Sequence, residues 1–171
     1  MLNLKDLIAR HAQDGTLLWI GLRPARRVPM RSVQSAEILG AGLAGDHAGS
    51  EKRAVTLIQQ EHLTTIGSML GRGPVLPQDL RRNLVIEGLN LLALKGRQLR
   101  LGDVVLEITG ICAPCSRMEE ILGHGGYSAV RGHGGWCARV VVPGRIALGS
   151  VVAPLQGTPL TTQDNTPSKT R

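Results

Sequence analysis

The chemistry open to this chain centres on sulfur. Cys112 and Cys115 stand three residues apart in Ile111-Cys112-Ala113-Pro114-Cys115-Ser116-Arg117, and the third cysteine, Cys137, lies further along. The alternation before Cys112 reads as a strand, and Ser116 to Leu122 reads as a helix with Ser116 placed to cap it. A thiol at such a junction has its thiolate favoured by unpaired helix amides, and Arg117 adds a nearby positive charge. The lowered pKa makes the sulfur a better metal ligand or sulfur acceptor at neutral pH.

Four readings of the segment stand side by side. Both cysteines can serve as small buried hydrophobes. A zinc site would join Cys112 and Cys115 to Cys137, His124 or His133, although no second ligand pair of the usual kind is present. A thioredoxin-like redox pair would suit the local order of strand, Cys-x-x-Cys and helix, but the strand pattern around it lacks the needed βαβ unit. Finally, Cys115 alone can be a functional thiol presented to a cofactor.

The elements that position this segment read as follows. Leu4, Leu7 and Ile8 share one face of a short amphipathic helix over residues 3–13. Strands are expected at Thr16 to Leu22, Val33 to Leu39, Ala54 to Ile58 and Asn83 to Ile86, with a hairpin through residues 99–108 turning at Gly102-Asp103. Gln59 to Leu70 reads as a helix ended by Pro74 and Pro77, and the glycine-rich Gly40 to His47 reads as a loop. Ala138 to Val142 and Arg145 to Val152 form a closing hairpin around Pro143-Gly144. Many short strands with few helices between them point to a closed or nearly closed β-barrel, mainly β in class. Residues 1–155 read as a single domain, and 156–171, rich in Thr and Pro, as a disordered tail.

Bulk composition narrows the function. The 171 residues are 42% hydrophobic with no Phe, so the core is aliphatic, and the shortage of aromatics argues against base stacking with single-stranded nucleic acid. A net charge of +7 favours an anionic partner. The basic residues fall in scattered pairs such as Lys52-Arg53 and Arg81-Arg82, which suits a phosphate-binding pocket better than a DNA-binding stripe. No apolar run reaches membrane-spanning length and no export signal is visible, so a cytoplasmic protein with reduced thiols is expected.

Blocks in a fixed order then add a resemblance. Gly42-Leu43-Ala44-Gly45-Asp46-His47, Arg53 to Ile58, Leu80-Arg81-Arg82-Asn83-Leu84, Leu101-Gly102-Asp103 with Pro114-Cys115, and Arg131-Gly132-His133-Gly134-Gly135 follow one another. Together they resemble the MOSC (molybdenum cofactor sulfurase C-terminal) domain family across roughly residues 15–155. The resemblance implies a MOSC-type β-barrel with a few short helices and binding of the molybdenum cofactor, with Cys115 as the functional thiol and metal ligand. It further implies that Arg81 and Asn83 hold the pterin and its phosphate, with Lys52 and Arg53 as further phosphate contacts. Arginine suits this role because its planar fork grips phosphate oxygens with two hydrogen bonds. His47 and His133 are candidates to line the site or orient a substrate.

Two mechanisms follow from the resemblance. In one, Cys115 ligates molybdenum and an N-hydroxylated compound loses its oxygen at the metal, with electrons from a donor protein. In the other, Cys115 carries sulfur as a persulfide received from a pyridoxal-phosphate cysteine desulfurase, a partner needed because no pyridoxal phosphate site lies within this chain.

Overall fold

In the computed structural model, residues 1–156 are described. The expected tail from 156 onward therefore lies almost entirely outside the described residues. The strands are β1 (Gly15–Leu22), β2 (Arg31–Val33), β3 (Ser35–Leu39), β4 (Gly42–Leu43), β5 (Val55–Gln59), β6 (Leu84–Glu87), β7 (Gln98–Leu101), β8 (Val104–Ile111), β9 (Trp136–Val142), β10 (Gly144–Ala147) and β11 (Val151–Pro154). The helices are α1 (Leu4–Ile8), α2 (Gln60–Met69), α3 (Arg117–Leu122) and α4 (Gly126–Val130).

Strands pair in the order β11-β7-β8-β9-β5-β6-β1, and β11 also pairs with β1, so seven strands close a barrel. β2 adds to the outside of β1, and β10-β3-β4 form a separate small sheet. Closure removes the unpaired edges that a seven-stranded open sheet would expose. The mainly β barrel expected from strand density is therefore present.

The barrel interior is aliphatic, as a chain without Phe requires. Leu17, Ile20, Leu57, Leu84, Leu99, Leu106 and Ile108 are all fully buried there. Alternation along β5 and β6 sends Leu57 and Leu84 inward and turns Ile58 and Val85 outward. The outward pair packs with Leu63, Ile66, Met118, Leu122 and Val130 in a second core beneath α2, α3 and α4. β5 is thus buried on both faces along its whole length, its polar Thr56 and Gln59 included.

Three details depart from the sequence reading. β5 and β6 are parallel and joined through α2, so one βαβ unit does exist, although the cysteine segment lies outside it, after β8. No closing hairpin joins β9 to β10. β9 runs between β5 and β8, whereas β10 pairs with β3 in the small sheet. The single strand expected over 33–39 breaks at Gln34 into β2 and β3, which serve different sheets.

Candidate functional site

The C-terminal ends of β1 and β8 and the N-terminal starts of β5, β6 and β9 meet at one end of the barrel. The loops there surround a cleft of about 420 Å³. Its size lies in the range of small-molecule and cofactor sites, roughly 300–1,000 Å³. Five arginines line it: Arg23 after β1, Arg53 before β5, Arg81 and Arg82 before β6, and Arg117 on α3. Among the described residues no aspartate or glutamate lines it. Cys112 and Cys115 line it as well, with Ala113 and Pro114 between them.

The cysteine wall is held in place by its neighbours. Cys112 continues β8, and its N–H donates to the Gly135 carbonyl at 2.9 Å. Gly135 has φ +92° and lies so close to the Leu57 carbonyl that a Cβ would collide with it, so the residue before β9 must be glycine for this pairing to form. The Cys115 carbonyl accepts from the Met118 N–H at 2.9 Å, and Met118 and Leu122 anchor α3 in the second core. Ser116 makes no capping hydrogen bond, because it already has helical backbone angles instead of the extended ones a cap needs.

The three thiols differ in environment. Cys115 is exposed, while Cys112 and Cys137 are buried with their sulfurs 2.9 Å apart. All three are free. Hydrogen bonding between the buried pair pushes the Cys137 thiol down to about 6, with Arg53 and Arg82 also favouring its thiolate, and pushes the Cys112 thiol up. The sequence reading looked for an activated thiol within the Cys112–Cys115 segment and missed this pairing. Cys137 lies 25 residues from Cys112 and meets it only because β8 and β9 are neighbours.

The arginines divide by how they are held. Arg23 donates to Asp46 through Nη2 at 2.6 Å and Nε at 3.1 Å, and Asp46 also accepts the Arg23 backbone N–H. The Asp46 side chain is fully buried. Arg81 donates instead to the carbonyls of Val28 and Ala25, and Arg82 to those of Gly134 and Leu80. Burial pushes the Arg82 guanidinium below its ordinary value, while negative charge on Cys112 and Cys137 would oppose that shift. Burial, Arg23 and Arg117 lower Arg81 in the same direction. Arg81 also has φ +56°, a left-handed conformation unusual for a residue with a Cβ.

The other expected site residues scatter around this cleft. Asn83 is completely buried: its Oδ1 accepts from the Thr56 N–H and hydroxyl and from Arg23 Nη2, and its Nδ2 donates to the Gly21 carbonyl. Its amide is engaged within the protein, so it positions Arg23 and the strands rather than reaching into the cleft. Lys52 does not line the cleft; its carbonyl accepts from the Thr109 hydroxyl. His47 is exposed outside the cleft, its backbone N–H donating to the Arg23 carbonyl.

His133 also lies outside the lining, packed edge-on against His62 at 5.1 Å between ring centres. His124 is fully exposed, 3.7 Å from Glu119. Among the described residues no three His, Cys, Asp or Glu side chains gather as a metal-binding group, so the zinc arrangement of Cys112, Cys115 and a third ligand is not assembled. Arg117 is named from sequence as the charge beside the cysteine segment, whereas Arg23 and Arg82 are given no site role there. Arg82 carried a signal beside Arg81; Arg23 carried none.

Fold and site together define a closed β-barrel protein with a thiol-bearing, arginine-lined cleft at one barrel end. A family model for the MOSC domain matches residues 44–153, and the chain belongs to that family. No curated protein matches the sequence. Among solved structures, the YuaD protein from Bacillus subtilis superposes with a TM-score of 0.72 at 15% identity, covering 82% of this chain and 94% of that one. YiiM from Geobacillus stearothermophilus gives 0.70 at 17% identity, covering 83% and 75%, and YiiM from Escherichia coli gives 0.66 at 17%, covering 84% and 71%. These likenesses concern the fold. No described helix is long and apolar enough to cross a membrane.

Proposed function

We propose that the cleft holds the molybdenum cofactor and that the protein reduces N-hydroxylated compounds, with Cys115 as the protein's ligand to molybdenum. The observation that carries this reading is the exposed Cys115 thiol at a cleft lined, among the described residues, by five arginines and no carboxylate. That lining fits a ligand with a soft metal at one end and a phosphate at the other. A thiolate is a soft donor suited to the metal, and arginines grip phosphate with directed pairs of hydrogen bonds.

Each group in the chain has a separate task. Arg81 and Arg53 bind the anionic end, and Arg82, partly buried, supplies positive potential from beneath. Arg23, neutralised by Asp46, stiffens the wall. Cys115, on a loop fixed by α3, presents its sulfur without rearrangement. Bound there, the cofactor would supply two-electron oxygen-atom chemistry at its metal. A donor protein provides the electrons.

The test is elemental analysis of protein made in a host that synthesises the cofactor, beside Cys115→Ser. Molybdenum near one equivalent in the parent and little in the variant is expected, together with reduction of an N-hydroxylated base by the parent alone. Equal molybdenum in both would refute the ligand assignment. The exposure of Cys115 also suits the second reading, a persulfide carrier served by a pyridoxal-phosphate cysteine desulfurase. That reading requires a sulfur-mass adduct on Cys115 after incubation with such an enzyme and cysteine.

A further inference from the structure

The reading above uses Cys115 and leaves the two buried thiols without a task. Their placement is specific. The Cys112 and Cys137 sulfurs stand 2.9 Å apart, close enough that a small shift would bring them to bonding distance. Register explains why: Gly110 pairs with Cys137 and Ile111 with Trp136, so Cys112, one residue beyond β8, lies opposite Gly135 and diagonal to Cys137. Cys112 also lines the cleft, which gives the pair one face toward incoming molecules.

The surrounding charge points the same way. Arg82 is fixed by two backbone carbonyls and has no carboxylate partner among the described residues, and Arg53 also lines the cleft. A partly buried guanidinium without a carboxylate is costly unless another negative group compensates it. A thiolate shared by the pair is such a group. The same arginines favour the thiolate on Cys137. A pair that served only as apolar packing would gain nothing from two cations beside it.

We infer that Cys112 and Cys137 form a reversible dithiol–disulfide couple that exchanges two electrons with small disulfides and thiols entering the cleft. The exchange balances without a metal. The Cys112 thiolate attacks a small disulfide RSSR, its own proton having passed to Cys137 or to solvent; an RS⁻ leaves and a mixed disulfide Cys112–S–SR remains. Cys137 then loses its proton to solvent, and its thiolate attacks the Cys112 sulfur and expels the second RS⁻. The thiol–thiolate pair loses two electrons and one proton, and RSSR takes up the electrons, that proton and one from solvent to become two RSH. Excess thiol reverses both steps.

Oxidation ties the end of β8 to β9 and removes the negative charge beside Arg82 and Arg53. The cleft therefore gains positive charge when the couple is oxidised. Cys115 takes no part, and the inference stands whether or not the cofactor reading holds.

The experiment uses the full chain, reduced and then equilibrated with hydroxyethyl disulfide and its thiol at increasing ratios. Samples are quenched in acid, denatured, alkylated with iodoacetamide and mapped by mass spectrometry. Cys112 and Cys137 should lose alkylation together and appear as a linked peptide pair two hydrogens lighter than the free peptides, whereas the exposed Cys115 should carry at most a mixed disulfide with the small thiol. Cys115→Ser should oxidise at the same ratio, and excess thiol should restore the reduced form. Cys112 and Cys137 both alkylatable at the highest ratio, a bond joining Cys112 to Cys115, or an unresolved mixed disulfide on Cys112 would each overturn the inference.

Discussion

Two sets of arginines face the same cleft and are held in opposite ways. Arg23 is bound by a buried carboxylate, Asp46, with Asn83 behind it, so its charge is largely cancelled where it stands. Arg81 and Arg82 are held by backbone carbonyls, which fix their direction and leave their full charge in place. The first arrangement builds a wall; the second keeps positive potential available for an anion or a thiolate. Arg81 adds a left-handed backbone, a strained conformation that the surrounding turn maintains.

The comparison is broken most severely on the paired side. Asp46→Ala should cost about 3–5 kcal/mol, because it leaves a mostly buried guanidinium without its counter-charge. Urea unfolding measures this, and a loss below about 1 kcal/mol would show that Arg23 finds solvent instead. Asn83→Ala should cost about 2–3 kcal/mol, since Thr56, Gly21 and Arg23 lose buried partners. Both variants should lower the unfolding midpoint, and any weakening of anion binding should follow from that.

On the carbonyl-held side the expected pattern reverses. Arg81→Ala should barely change the unfolding midpoint but weaken phosphate binding about tenfold, equivalent to about 1.4 kcal/mol, as read by isothermal calorimetry. The buried thiols give a pH signature. Cys137 titrates in the folded protein at about 6, below the ordinary thiol value, so its stabilising contribution is full above the unfolded thiol pKa and is lost as pH falls toward 6. The stability advantage of the parent over Cys137→Ser should therefore shrink between about pH 8.5 and pH 6, and ultraviolet thiolate absorbance should rise near pH 6 in the parent only. A constant advantage across that window would contradict the shared-thiolate picture. The smallest effect belongs to Ser116→Ala, expected within about 0.5 kcal/mol because no capping bond exists to lose.

Local patterns carried the parts of the fold that local chemistry decides. The hairpin at Gly102-Asp103 and the run from β5 into α2 were legible from turn residues and periodicity. Pairing between distant strands was not legible. Pro143-Gly144 is a sound turn signal, yet the strand after it pairs with β3, far earlier in the sequence. The βαβ crossover was missed for a similar reason, since a lone helix between two short strands does not reveal whether they run parallel.

The site followed the same rule. Arg81, Arg53 and Cys115 were found from their motifs, and all three line the cleft. Asn83 has a buried positioning role that its segment could not reveal, because three of its partners come from β1 and β5. Arg23 and Cys137 enter only through strand neighbours far away in sequence.

The central claim is that uncancelled arginine charge beside Cys115 forms an anion site. It is tested most directly by the rate at which iodoacetamide alkylates Cys115 as inorganic phosphate is added at constant ionic strength. Phosphate should slow alkylation of the parent in a saturable manner, and the Arg81→Ala, Arg53→Ala double variant should lose that protection while unfolding at nearly the parent midpoint. Protection that is absent in the parent, or undiminished in the double variant, would contradict it.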